Sequence, residues 1–564
     1  MHKGPLSALI LVFTLPVIAH AQWQLNGTPV STATGSQRLA SAAPDGTGGA
    51  IIAWQDDRTG GVNDIYVQRV DGLGIAKWTA GGLPLCTATA SQSDPVICSD
   101  GAGGAIVAWN DFRNSATSDI YAQRINAAGV AQWLPANGVA VSTATNLQSV
   151  YGIVPDCCHG AYIVWEDARN STQTLTLDIY AQHLSDQGVP QATANGVAVC
   201  TAPSNQSEPI ITADGAGSAI VAWNDQRDGT NDIYAQRVMS NGFMQWTAGG
   251  VGICVHTQNQ FPTSIAADGA GGAVIAWRDH RNLESGGIDV FAQRVDEFGT
   301  VLWTTNGVAV CTRTGNQSTP VVACDSAGNA IIAWEDLTLG DIYAQLLSPA
   351  GALMWAANGA SVCMAAFAQN TARIVPDGAG GAVIAWNDFR TNGASDLYAQ
   401  RVDATGSAQW TSNGVALSTA ANTQGMGAIV SDGSGGAVVA WNDDRNGNPD
   451  VYALRLASSG STPTAVRTTP VLSEAALSPN FPAPFSGSTS MYLSLRHDAD
   501  VHAEVFDVTG RSVRAIQIGL RPAGTTQLAF DGRDDRGAPL PSGVYFFRVH
   551  AGIETVTRKI VIAR

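Results

Sequence analysis

Apolar residues occupy both alternating faces of the segment from Ala105 to Trp109. Ala105, Val107 and Trp109 point one way, Ile106 and Ala108 the other. This is the pattern of a β-strand covered on both sides. A second strand begins at Asp119 and ends in Gln123-Arg124-Ile125. The stretch from Gly103 to Arg124, GGAIVAWNDFRNSATSDIYAQR, recurs with changes eight times before about residue 456. Its tryptophans are Trp54, Trp109, Trp165, Trp223, Trp277, Trp334, Trp386 and Trp441, about 52 to 58 residues apart. A period of this size belongs to solenoids, propellers or arrays. No segment of the unit carries a helical period, which disfavours helical solenoids.

Four strands fit each unit. In the copy starting at Pro95, a short strand a precedes the turn Asp100-Gly101-Ala102-Gly103-Gly104, whose glycines accept positive φ. Strand b runs to Trp109, a variable loop leads to strand c at Asp119, and the turn Asn126-Ala127-Ala128-Gly129 leads to strand d near Trp133 and Asn137-Gly138. A four-stranded meander repeated in this way is a propeller blade. The copies of strand d lie near Trp23, Trp78, Trp133, Ala192, Trp246, Trp303, Trp355 and Trp410. The first precedes blade one, and blade eight has none after Arg455. Trp23–Ser31 is therefore expected to supply the outer strand of blade eight and remove an exposed sheet edge. The predicted fold is all-β: an eight-bladed β-propeller over residues 22–456, a linker over 457–471 and a β-sandwich over 472–564.

The 564 residues are only 13% charged and include 61 glycines, which suits a large β-protein rich in turns. Residues 1–21 read as a secretory signal peptide, with Lys3, an apolar run from Leu6 to Ile18 and Ala19-His20-Ala21 as cleavage site. The run is short for a bilayer span, and no other segment is apolar enough, so no membrane span is expected after signal removal. A net charge of −16 disfavours nucleic acid as a partner. Cys86, Cys200, Cys254, Cys311 and Cys363 share one slot in strand d with Ser31, Ser142 and Ser418. That makes it a small-residue packing position rather than part of a disulfide framework.

After Arg455 the repeat stops, and a Ser/Thr/Pro-rich linker follows. Short strands then alternate with turns such as Val508-Thr509-Gly510 and Asp531-Gly532, the pattern of a sandwich. The segments PNFPAPFSGSTSMYLSL, VHAEVFDVTGRSVRAI, AGTTQLAFDGRDDRGAPLPSGVYFFRV and TRKIVIAR resemble the Ig-like C-terminal domain of type IX secretion substrates. The related flagellar hook-capping Ig-like domain shares much of this pattern. Departures are Pro482-Ala483-Pro484-Phe485, where the family has Asn-Pro-Phe, and Phe530, where it often has Trp. The resemblance implies export across an outer membrane, with the secretion machinery as partner and surface attachment or release as outcome.

Candidate chemistry is mostly repeated around the ring. An Asp-x-Arg follows strand b in seven blades, from Asp56/Arg58 to Asp443/Arg445, while blade six keeps Asp336 but has Thr338. An aspartate also starts every strand c, from Asp64 to Asp450. A feature repeated in this way reads as a loop clip rather than an active site, and a partly exposed pair is worth at most about 1 kcal/mol. Gln37, Gln92, Gln148, Gln206, Gln260, Gln317, Gln369 and Gln424 recur in the d–a connections, suited to bridging backbone groups between blades. No EF-hand loop, Gly-x-Ser-x-Gly elbow, His-Glu-x-x-His motif or sialidase box occurs. Cys157-Cys158-His159 replaces glycines in the third a–b turn, but it lacks metal-site spacing. No metal, cofactor or catalytic residue is expected.

A singular site should show as a departure from the repeat. The best candidates for ligand binding are Glu166, Arg278, His280, Glu284 and Glu335, in the b–c regions of blades three, five and six. The leading reading is an exported, non-catalytic binding protein for a polysaccharide or a protein. The alternative is a glycan-active hydrolase or lyase, with Glu166 and Glu335 as an acid–base pair. A structural array without a specific ligand comes third.

Overall fold

The computed structural model describes residues 23–461 and 475–564, except 115–116, 172–174, 392, 478–479, 481–482, 496–497 and 552–553. The segment read as a signal peptide, residues 1–21, and most of the linker lie outside the described residues. The chain divides into two compact units, with the break between Thr464 and Ala465.

The first unit contains eight four-stranded antiparallel sheets. Blade two shows the plan: strand a is Gln92–Ser99, b is Ala105–Asp111, c is Asp119–Ile125 and d is Val139–Ser142. Each strand a packs against the strands a of both neighbouring blades, and that of blade eight packs against that of blade one. The inner strands therefore close into a ring. The apolar runs of strand b are buried on both faces because each blade is sandwiched between two others, and all eight strand-b tryptophans have no exposed surface.

Blade eight is completed from the other end of the chain. Its sheet runs Thr28–Ser31, Asp450–Leu456, Ala437–Asp443, Gln424–Ser431, with Thr28 opposite Ala453 and Ser31 opposite Val451. The borrowed strand reproduces the contacts of every other blade. Gly138 lies at φ +93° where a Cβ would collide with the Trp109 ring, and Gly27, at φ +95°, does the same beside Trp441. These Asn-Gly pairs are required twice over, by conformation and by the tryptophan they cover.

Neighbouring blades are tied by polar groups at their rims. The strand-d tryptophans donate from Nε1 to a carbonyl in the next c–d turn: Trp133 to Asp186 at 2.8 Å, Trp246 to Glu297 at 3.0 Å. Trp23 donates to Gly72 at 3.1 Å and joins the N-terminal segment to blade one. Beside these tryptophans, an arginine of strand c bridges the aspartate of its own a–b turn to the same carbonyl of the next blade. Arg124 pairs with Asp100 at 3.0 Å and donates to the Asp186 carbonyl at 3.3 Å.

The second unit is a sandwich. A three-stranded sheet, Ala475–Leu477, Thr489–Leu495 and Gly524–Phe530, accompanies a four-stranded one in the order Ser512–Arg521, Ala499–Asp507, Gly543–Ala551, Glu554–Ile562. Met491, Leu493, Phe530, Phe547 and Ile560 form its core. Phe530 is 1% exposed, its ring 6.2 Å from that of Phe485 and 5.8 Å from that of Phe547.

Deleting residues 23–31 removes Val30, Trp23 and the cover of Trp441 together. The expected loss is at least about 3 kcal/mol, the scale of removing a large buried side chain. A thermal melt followed by circular dichroism checks this; an unchanged midpoint contradicts closure by this strand.

Candidate functional site

The Asp-x-Arg motif is a buried network rather than an exposed pair. Asp111 is fully buried. It accepts from Trp109 Nε1 at 2.8 Å, the Arg113 backbone N–H at 2.9 Å, and Arg113 Nε and Nη2 at 2.8 and 2.6 Å. The Arg113 Nη2 also donates to the Asn137 carbonyl at 2.8 Å and approaches Cys86 of the preceding blade at 3.1 Å. Its guanidinium lies 3.9 Å over the Tyr121 ring. The motif thus fixes the b–c loop, the strand-b tryptophan and the next strand d at once. The small Ser/Cys slot in strand d is where the guanidinium passes between blades.

The arginine has a further task. The clip aspartate faces the first aspartate of strand c directly across the sheet, as Asp111 faces Asp119 and Asp388 faces Asp396. Like charges opposed in this way repel. Burial first, then the neighbouring Asp388 charge, pushes the Asp396 carboxyl above its ordinary range, and Asp119 and Asp341 behave alike. Blade six solves the problem differently. Thr338 supplies no cation, and Arg313, arriving from the preceding d–a connection, stands 3.6 Å from Asp336 and 4.3 Å over the Tyr343 ring. Alanine or histidine fills the Arg313 slot in the other blades, a paired change that marks the relocation.

The recurrent glutamines act locally. Gln92 Nε2 donates to the carbonyls of Ala90 at 2.9 Å and Ala88 at 3.4 Å within its own d–a connection. Its backbone N–H donates to Asn63 of the preceding blade at 2.7 Å. The bridge between blades is therefore made by the main chain, and the side-chain amide holds the turn that presents it.

In five of the eight blades the residue after the strand-b tryptophan accepts from the next blade, while Asn442 Oδ1 of blade eight has no hydrogen-bond partner. Gln55 accepts from the Asp94 N–H at 3.3 Å, Asn110 from Val150 at 2.8 Å and Asn387 from Met426 at 2.8 Å. Glu166 belongs to this series, accepting from the Glu208 N–H at 2.7 Å, and Glu335 accepts from Thr371. Both are buried, and burial pushes both carboxyls up. They stand three blades apart, each turned to its own neighbour.

Blade five breaks this series on both sides. Asn224 of blade four meets Pro262, which has no N–H, and its Oδ1 has no hydrogen-bond partner. Arg278 stands where an acceptor belongs and cannot accept. Its guanidinium lies 4.6 Å over the Phe261 ring, and His280 tilts against the same ring at 5.2 Å. Arg278 Nε and His280 Nε2 are buried atoms without a hydrogen-bond partner. Burial, then the Arg278 charge, pushes the imidazolium down, so His280 is neutral at pH 7. Glu284 is exposed on the following loop. The structure thus brings Arg278 and His280 together around Phe261, a residue that sequence reasoning did not single out. Its signal was visible: every other blade has Ser, Arg, Asn or Gly after the d–a glutamine.

At the other end of strands b, a cavity of about 350 Å³ opens between the a–b turns of blades two, three and four, lined among others by Asp100, Cys157, His159 and Gly217. Among the described residues, no group of three or more His, Cys, Asp or Glu is placed to hold a metal ion.

With this geometry in hand, similarity to known proteins is informative mainly for the second unit. Residues 480–554 match the FlgD Ig-like domain family. No curated protein matches the chain. FlgD of Pseudomonas aeruginosa is 28% identical over 13% of this chain and 58% of its own, with a TM-score of 0.12. PorZ, a surface component of the type-IX secretion system of Porphyromonas gingivalis, is 11% identical over 95% of this chain and 82% of its own, with a TM-score of 0.25. A PL25 ulvan lyase is 10% identical over 79% of this chain and 98% of its own, with a TM-score of 0.40. The propeller assignment rests on the eight sheets themselves.

Two outcomes follow from the clip. Arg113→Ala leaves a buried carboxylate short of its cation and is expected to cost about 3 kcal/mol, the scale for breaking a buried pair, rather than the ~1 kcal/mol of an exposed one. Denaturant unfolding of Arg113→Ala, Arg390→Ala and the double variant measures it, and distant blades should add.

The strand-c aspartates set a pH dependence. A carboxyl whose folded pKa is raised contributes stability that is present below its unfolded value of about 3.9 and lost as pH rises through the folded value. Melting temperature should therefore climb as pH falls from 7 towards 4, and Asp396→Asn should flatten the climb. A profile flat over this range in the parent protein contradicts the assignment.

Proposed function

We propose that this chain is an exported, non-catalytic binding protein whose propeller takes a polysaccharide or a protein and whose sandwich directs secretion or surface attachment. The observation that carries the reading is how the polar side chains are used. Glu166 and Glu335 hold neighbouring blades together, so neither is free for acid–base work, and the Asp-x-Arg clips are saturated by their own blades. The departures that remain converge on Phe261, Arg278 and His280 of blade five, with Glu284 on the adjoining exposed loop. A half-buried guanidinium laid over an aromatic ring suits an acidic sugar placed against its exposed side.

The C-terminal assignment draws on the match to the FlgD Ig-like domain over 480–554. Among the described residues, no helix is long and apolar enough to cross a membrane.

Three measurements test the reading together. On a glycan array, the parent protein should bind acidic polysaccharides and Arg278→Ala should lose at least about tenfold, the value of one charge-assisted contact, with an unchanged melt. A reducing-sugar assay on the bound glycans should stay at background; turnover would favour a hydrolase or lyase. Removing residues 472–564 should leave the propeller folded but retained inside the outer membrane.

A further inference from the structure

Blade three departs from the repeat at the end of the ring opposite Arg278. Its a–b turn reads Asp156-Cys157-Cys158-His159-Gly160, where blade two has Asp100-Gly101-Ala102-Gly103-Gly104. Cys157 and His159 lie at φ 69° and 70°, the left-handed region that glycine fills at the same positions of blade two. A side chain there costs about 1 kcal/mol or more, yet the turn is otherwise intact. Asp156 accepts from the N–H groups of Cys158 at 2.6 Å and Gly160 at 2.8 Å, as Asp100 does from Ala102 and Gly104.

The surroundings have changed with it. His183 replaces the strand-c arginine. It contacts Asp156 through Nε2 at 2.9 Å and the Ser240 carbonyl through Nδ1 at 2.8 Å, and stacks on Tyr162 at 4.4 Å. His159 Nδ1 lies 2.6 Å from the Asp100 carbonyl. The turn is thereby held on both sides while its two thiols stay exposed, Sγ to Sγ 3.2 Å. Cys157 lines the 350 Å³ cavity.

The other seven cysteines are buried or half-buried. Burial pushes the thiols of Cys86, Cys200, Cys311 and Cys363 up to about 11, and those of Cys254 and Cys324 up to about 12. Burial raises Cys98 further still. Thiols of this kind are inert, so accessible thiol chemistry is confined to Cys157 and Cys158.

We propose that Cys157–Cys158 is a reversible redox modification site, oxidised to a vicinal disulfide by a small-molecule disulfide. Cys158, exposed beside Cys157, reacts as its thiolate. Its thiolate attacks one sulfur of the reagent, forming a mixed disulfide and expelling one thiolate, which takes up the proton Cys158 released. Cys157 then loses its proton, attacks the Cys158 sulfur and expels the second thiol, which carries that proton away. Two electrons pass from the protein to the reagent, and one disulfide replaces another. The second step is intramolecular between sulfurs already in contact, which favours ring closure over a persistent adduct. Adjacent Cα atoms are about 3.8 Å apart, shorter than the usual range of roughly 4.4–6.8 Å for disulfides. The ring is therefore strained, easily reduced and suited to a switch rather than a staple.

The test uses the full-length protein with oxidised glutathione, followed by peptide mass analysis without reduction. The expected product is lighter by two hydrogens, confined to the Cys157–Cys158 peptide and reversed by dithiothreitol. Cys157→Ser and Cys158→Ser should each stop at a glutathione adduct. Phenylarsine oxide, which needs two neighbouring thiols, should bind the parent protein and neither variant. The double variant Cys157→Gly/Cys158→Ala, which restores the blade-two residues, should melt no lower than the parent and bind no arsenical. A persistent glutathione adduct on the parent protein, oxidation at another cysteine, or absence of reaction overturns the proposal.

Discussion

The ring depends on keeping a carboxylate in a dry place. Each blade buries an aspartate at the end of strand b, directly opposite a second aspartate at the start of strand c. In seven of the eight blades an indole N–H, a main-chain N–H and a forked guanidinium converge on the first carboxylate and offset the cost of its burial. The consequences spread from there. The indole donor fixes the tryptophan that fills the blade, the tryptophan demands glycine at the start of strand d, and the guanidinium demands a small residue in the neighbouring strand. Several features of the repeat are thus facets of one electrostatic requirement. In blade six Arg313, from a different strand connection, brings a cation to 3.6 Å from Asp336 but leaves Asp336 Oδ2 and Trp334 Nε1 without hydrogen bonds, a partial replacement of the clip.

Much of this was legible in the sequence because repetition does the work of an alignment. Eight tryptophans in register, alternating faces and a missing eighth outer strand were enough for the blade count and for the closure by Thr28–Ser31. What could not be read was depth. Asp-x-Arg looks like a surface loop motif when written along the chain, because sequence spacing does not reveal that Asp111 lies under Trp109. The cross-strand facing of Asp111 and Asp119 was equally hidden, since it depends on the length at which the hairpin closes. Glu166 and Glu335 looked singular because they are acidic. In three dimensions their carboxylate oxygens do what the amide oxygens of Gln55 and Asn110 do. Phe261 and Pro262 belong to no motif along the chain, and their weight shows only where strand a carries the bonds from one blade to the next.

The asymmetries left after the repeat is accounted for fall at two places: the Phe261, Arg278 and His280 group at one end of blade five, and the remodelled turn of blade three at the other. The first substitutes a cation for an acceptor and the second substitutes thiols for glycines. Each retains the surrounding hydrogen-bond frame, as expected where a scaffold tolerates local change without loss of its geometry.

Closure by the N-terminal strand also sets the order of events in folding. Thr28 pairs with Ala453, so the contact that finishes the ring joins residues separated by nearly the whole propeller. Contacts of such long range form late, after each internal blade has already assembled from its own neighbourhood. Until the last repeat has emerged, the N-terminal strand has no sheet to complete and the chain remains an open arc with an unsealed edge at each end. A ring sealed in this way delays its final, locking contact until the whole length of the chain has arrived.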